Sequence, residues 1–291
     1  MALASRLPVE ILVADSRQLY RGMDIGTAKP TASARAVVPH HLIDLVEPDQ
    51  RFTVADWVRR ARVLVPEIAA RGRIPMLVGG TGLYLAAFVE GHDYVTRGAD
   101  EQARARLAAE LEADGLEPLV ERLAHIAPDV AEGIDRRNPR RVVRALERAE
   151  AGDELPRREA YRGRVTLLGL ERPRDVLYRR INERAEWLFA NGLLDEVRAL
   201  MQAGYGPELR PMGGHGYSEA MRHLAGEGTL EQAIEVTARR TRQYAKRQLT
   251  WFRRQAPVAW VEAGDRPADE PSIVQRALEL LEPGITPNRL P

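Results

Sequence analysis

The chain has 291 residues, 43 Lys and Arg against 42 Asp and Glu, and a formal net charge of +1. Its 44% hydrophobic and 29% charged residues exclude wholesale disorder. The length fits about two domains, or one large domain with an insertion. Cysteine is absent, which removes disulfides, thiolate zinc sites and cysteine nucleophiles together. No apolar run is long enough to span a bilayer, and the first residues lack the apolar stretch of a secretory signal. A soluble cytoplasmic protein is the expectation.

In chain order, residues 9–14 (VEILVA) read as a buried strand ending at Asp15-Ser16. Residues 53–71 read as a helix with Thr53 as N-cap and Asp56 as its capping-box acid. A second strand at 74–78 runs into Gly79-Gly80-Thr81-Gly82 and a helix over 83–89. Alternating strands and helices predict a parallel sheet in an α/β fold. Residues 99–150 carry helical spacing throughout, 152–163 are turn-rich, and an apolar strand returns at 165–170. Helices follow at 173–203, 218–226 and 230–254, then an edge strand at 258–261. The expected organisation is an α/β core over 1–97 and 164–282, an inserted helical domain over 98–163, and a flexible tail at 283–291.

Charge is unevenly spread. Residues 136–164 hold ten Arg against five acids, and 239–254 hold seven cations and no acid. Either cluster alone would read as a solvated helix face. Two of them, with Tyr161, Tyr244, Trp251 and Phe252 interleaved, point to a polyanion such as nucleic acid. Arg140, Arg141 and Arg144 share one helical face, as do Arg239, Arg242 and Lys246. Tyr244, Gln248 and Trp251 form another stripe that reads as core packing. Only Lys29 and Lys246 are lysines among the cations, a use of the compact point charge that suits a phosphate.

Asp15, at the C-terminal edge of a strand where open α/β sheets bind ligands, can serve as a general base or hold Mg²⁺. A capping role is the plainer alternative. The GGTG turn offers backbone N–H groups and the Thr81 hydroxyl to a phosphate or polar substrate, though strand-to-helix turns also use Gly for geometry alone. Adjacent His40 and His41, with no HExxH-type spacing, argue against zinc.

Together these segments resemble the tRNA dimethylallyltransferases (tRNA isopentenyltransferases). The resemblance rests on DSRQLYRGMDIGTAKP (15–30), VGGTGLY (78–84), NPRRVVRALE (138–147), Gly216-Tyr217 and TRQYAKRQLTWF (241–252), in the family's order. It implies a P-loop-NTPase-like parallel sheet with a helical insertion that grips the anticodon arm. It also implies dimethylallyl transfer from the diphosphate to N6 of the adenosine 3′-adjacent to the anticodon. Asp15 is then the base, with Thr81 and Arg242 as further catalytic candidates. Asp15, Ser16, Arg17, Gln18, Arg140, Arg141, Val142, Val143, Arg144, Gly213, Gly214, His215, Gly216, Tyr217 and Ser218 are expected at the tRNA. Lys29, Lys246 and Arg247 are expected at the diphosphate, with Mg²⁺ as cofactor and a monomer as the working form. Gly213-Gly214-His215 departs from the apolar residues more usual before Gly-Tyr.

The family's phosphate loop, G-P-T-x-x-G-K-[ST], occurs nowhere in the sequence. The expectation is therefore a chain lacking the first strand and that loop, either because the gene start is placed too far downstream or because the chain begins here with weakened diphosphate binding. Two other functions compete. Prenylation of a free adenine nucleotide is disfavoured by the Arg-rich insertion; a non-catalytic RNA-binding remnant is favoured by the missing loop.

Overall fold

The computed structural model describes residues 1–91, 101–152, 160–255 and 257–281. The proposed tail at 283–291 lies outside them. The chain divides into two compact units, Met1–Val89 with Tyr161–Pro291, and Glu90–Ala160.

The first unit opens with β1 (Val9–Val13), α1 (Ala32–Val37), β2 (His40–His41), α2 (Val54–Ala70), β3 (Ile74–Val78) and α3 (Gly82–Glu90). β1 is buried along its whole length because it is the middle strand of a parallel sheet ordered β2-β1-β3. α2 has the expected capping box, with Thr53 and Asp56 satisfying each other's backbone N–H groups. It turns Trp57, Ala61, Val65 and Ile68 inward, and the Trp57 indole N–H donates to the Val13 carbonyl at 2.8 Å. Every member of that stripe adds apolar area to the core, roughly 1.5–3 kcal/mol for each large side chain.

α1 and β2 were not legible in the sequence. β2 is two residues long, too short for a periodic signal. His41 is spent on the buried Glu10 (2.8 Å), and the Nδ1 of His40 lies 2.7 Å from the Val38 carbonyl.

The unit continues with β4 (Leu167–Glu171), α8 (Arg174–Ala190), α9 (Leu193–Gln202), α10 (Tyr217–Leu224), α11 (Leu230–Gln255), β5 (Val258–Glu262) and α12 (Pro271–Leu281). Two expectations are corrected here. The helix over 173–203 is two helices, broken where Gly192 takes φ +99°, a left-handed angle that glycine adopts without strain. The late strands do not extend the first sheet. β4 pairs in parallel with β5 as a separate two-stranded sheet, so the α/β fold carries two small parallel sheets among many helices.

The second unit is helical over its described residues, with α4 (Glu101–Asp114), α5 (Glu117–Ile126), α6 (Pro128–Gly133) and α7 (Pro139–Glu150). It has its own core, in which Leu107, Leu119, Leu123, Val142 and Leu146 are fully buried.

Candidate active site

The site is built where β1 and β3 end side by side. Ala14 donates its N–H to the Val78 carbonyl at 2.7 Å, bringing Asp15 and Ser16 alongside the GGTG turn. The Ser16 N–H then donates to the Thr81 hydroxyl oxygen at 3.1 Å. That oxygen accepts, so its own hydrogen remains free to donate. Half-buried Asp15 accepts the N–H groups of Arg17 (2.7 Å) and Gln18 (3.4 Å), both on Oδ1. The carboxylate is thereby fixed in orientation, with Oδ2 left for a proton.

α11 closes one side of the turn. The Gln248 amide donates to the Gly80 carbonyl at 3.0 Å, and the Tyr244 hydroxyl lies 3.5 Å from the same oxygen. A Cβ at Gly80 would stand 2.1 Å from the Gln248 Nε2, and one at Gly82 would stand 2.4 Å from the Trp251 ring. The glycines are there for close approach as well as for the turn. The Tyr244–Gln248–Trp251 stripe, expected as core packing, is the wall of the site, and Tyr244 is 40% exposed. Helical spacing revealed the stripe; nothing in the spacing says which surface it meets.

The electrostatics are mixed. Arg17 donates to the Arg210 carbonyl at 2.8 Å. Burial, then the neighbouring Arg210, lowers its pKa, while Asp15 and Tyr244 work the other way. Burial raises the Tyr244 phenol, with Asp15 adding to the effect. His215 packs edge-on to Tyr244, centroids 5.6 Å apart, and burial followed by Arg240 lowers its pKa, favouring the neutral ring.

Several expected residues stand elsewhere. The Lys29 side chain is 1% exposed and donates to the Tyr20 carbonyl (2.7 Å), Asp24 (2.6 Å) and Asp44 (2.6 Å). Its three N–H bonds are all used, so it braces loop 15–29 and has no donor left for a diphosphate. Arg242 donates to Asn182 and lies over Tyr178, on the α8 side of α11, whereas Tyr244 and Gln248 face Gly80. Lys246 and Arg247 are exposed on α11, and Arg247 sits 5.9 Å from the Tyr244 ring centroid.

Within turn 213–218, Gly213 is exposed and His215 and Ser218 are half-buried. Gly214, Gly216 and Tyr217 are buried and cannot offer side-chain surface to a substrate. Ser218 is also engaged, by Arg240 and by Glu219.

In the second unit, Asn138 caps α7 by accepting the Arg141 N–H, and Pro139 occupies the first helical turn. Val142 is fully buried and so removed from the expected contact surface, whereas Val143 packs against the same core but is only half-buried. Arg140, Arg141 and Arg144 are exposed and line a pocket of 710 Å³ with Arg148, Ile126 and Ile134.

Among the described residues no three His, Asp or Glu side chains gather to hold a metal ion. Asp15 with the Ser16 and Thr81 hydroxyls is a sparse, all-oxygen donor set. It suits a hard cation that keeps waters and takes its remaining ligands from phosphates.

The sequence and the fold both match known proteins. The IPP transferase family model matches residues 18–255. The tRNA dimethylallyltransferase of Syntrophobacter fumaroxidans is 43% identical over 272 residues, covering 90% of this chain and 79% of its own. The crystal structure of the tRNA isopentenylpyrophosphate transferase of Bacillus halodurans superposes with TM-score 0.69 at 42% identity, covering 97% of this chain and 91% of that one. A eukaryotic dimethylallyltransferase crystallised acting on tRNA gives TM-score 0.76 at 25% identity, over 95% and 73% of the two chains. The chain belongs to the IPP transferase family.

Proposed function

We propose that this chain transfers a dimethylallyl group from dimethylallyl diphosphate to N6 of the adenosine 3′-adjacent to the anticodon of tRNA. The observation that carries the reading is a carboxylate oriented by two backbone N–H groups beside a threonine hydroxyl, at the joined ends of two parallel strands, in a chain of this family.

N6 is a poor nucleophile because its lone pair is delocalised into the ring. Asp15 Oδ2 takes a proton from N6 as the N–C bond forms and the C–O bond to diphosphate breaks. The adenine must leave its stack to reach that oxygen, at a cost of a few kcal/mol. Tyr244 and His215 border the same site and offer ring surface to the extruded base. Thr81, through its free hydroxyl hydrogen, and the exposed Lys246 and Arg247 are the groups proposed to meet charge on the leaving diphosphate. Arg242 would join them only by leaving Asn182. Asp15, Ser16 and Thr81 would be the residues to hold a Mg²⁺ ion, which would supply further charge neutralisation. Arg17, Gln18, Arg140, Arg141 and Arg144 are assigned to the anticodon arm, whose phosphates attract guanidinium groups. Among the described residues no helix is long and apolar enough to cross a membrane.

The test is transfer of labelled dimethylallyl groups by the full chain, with tRNA as acceptor and AMP as control. Label in tRNA alone supports the reading. Label in AMP alone overturns it in favour of adenylate prenylation, and tRNA binding without any transfer favours a non-catalytic RNA-binding protein.

A further inference from the structure

Glu196, in the first turn of α9, belongs to none of the recognised motifs. By sequence it is an acid placed to suit a helix N-terminus. Its carboxylate faces away from that task. Oε2 accepts the N–H groups of Asp24 (2.9 Å) and Ile25 (2.7 Å). Oε1 accepts the N–H of Gly26 (3.3 Å) and the hydroxyl of Tyr217 (2.5 Å). Tyr217 is 2% exposed, and its ring lies so close on Gly26 that a Cβ there would stand 2.4 Å away. Asp24, Ile25 and Gly26 belong to the loop that begins with Asp15. Tyr217 opens α10 directly after His215 and Gly216. One side chain therefore joins the two segments that border the site.

We propose that Glu196 is a positioning residue for RNA recognition, clamping loop 15–29 to turn 213–218 so that Arg17, Gln18 and His215 meet the RNA as one preformed surface. The inference rests on the functional reading above, in which both segments meet tRNA. The chemistry calls for a carboxylate. All four donors point at it, and both oxygens are used. A glutamine in its place would turn an NH₂ toward two of those donors. Loop 15–29 has a second brace, Lys29 beneath it, so loss of the clamp frees one side of the loop without unfolding it. The Gln18 amide donates to the Thr27 carbonyl at 3.0 Å, in the stretch of chain between the residues Glu196 holds and Lys29.

The experiment compares wild type, Glu196→Gln, Tyr217→Phe and the double variant as full chains. It measures tRNA dissociation constants, KM for each substrate, kcat and the melting temperature. Glu196→Gln is expected to weaken tRNA binding and raise its KM about tenfold, with kcat and the KM for dimethylallyl diphosphate within about twofold. Tyr217→Phe, which removes one hydroxyl and keeps the ring, is expected to cost about threefold. The double variant should be no worse than Glu196→Gln, because both changes break the same contact. A lowered melting temperature with unchanged tRNA affinity overturns the proposal, as does an equal rise in both KM values. A wild-type chain that neither binds nor prenylates tRNA overturns the functional reading and this inference with it; a normal wild type beside unaffected variants overturns the inference alone.

Discussion

α7 and α11 are the two basic helices of this chain, and their sequences advertise the same thing. Their surroundings do not agree. α7 buries Val142 and Leu146 in its own unit, pairs Arg144 with the buried Glu147 at 3.6 Å, and leaves Arg140 and Arg141 exposed at a pocket. On α11, Arg240 is paired with the buried Glu219, Arg253 with Glu171, and Arg239 with Glu235. Arg242 is spent on Asn182 and Tyr178. A run of cations is therefore not yet a positive surface. What counts is how many keep their charge unanswered, and on α11 the exposed Lys246 and Arg247 carry most of it.

That contrast is sharpened by removing the chemistry that neither helix supplies. Asp15→Asn keeps the Oδ1-type acceptor for the Arg17 and Gln18 N–H groups and loses the proton acceptor. Transfer should slow by about 10²-fold or more, while tRNA affinity stays within about twofold. An equal loss of affinity would mean that Asp15 works as a binding group like the arginines.

Next in size is Lys29→Met. If Lys29 is a brace, the variant leaves Asp24 and Asp44 short of a partner and loses roughly 3 kcal/mol of stability, read as a lower melting temperature, with the KM for dimethylallyl diphosphate unchanged. Burial alone would raise Asp44, but Lys29 and Arg35 hold it below its ordinary 3.8. A carboxylate depressed in the fold adds stability above that ordinary value, and this is lost as pH falls through the depressed one. The gap in melting temperature between wild type and variant should therefore narrow below pH 3.8. A raised KM for the diphosphate would return Lys29 to the substrate.

Arg140→Ala with Arg141→Ala tests α7 directly. Two lost phosphate contacts should weaken tRNA binding about tenfold and reduce the slope of log affinity against log salt by about 1.5 to 2. Prenyl transfer at saturating tRNA should hardly change.

Much of this was legible in advance, and the gaps have physical causes. The α2 capping box, the β1 and β3 strands and the GGTG turn announced themselves because each is a local code: a cap, a run, a glycine cluster. The position of Asp15 was legible because the end of a buried strand is a place as well as a residue. Lys29 was misread since a buried, fully bonded ammonium and a phosphate-binding one look alike in sequence. Val142 was carried along by its motif although helical periodicity already put it opposite the arginines. Glu196 gave no signal at all. Its four partners lie about 20 residues away on one side and 170 on the other, and no local pattern encodes a contact of that range.

The smallest expected effect is the most direct test of the comparison between the two helices. Arg239 sits inside the acid-free basic run, so sequence alone gives it the standing of Arg140. In the fold it is an exposed residue bonded one turn back to Glu235 at 3.4 Å. Exposed i,i+4 pairs contribute about 0.3–0.5 kcal/mol, and an arginine already answered by a carboxylate adds little to the field that RNA meets. Arg239→Gln should therefore move the melting temperature by no more than about 1–2 °C and leave the salt slope of tRNA binding as it is. Should the slope fall by as much as one of the α7 arginines takes from it, then Glu235 does not silence Arg239, and the cations of α11 count toward RNA binding by their number after all.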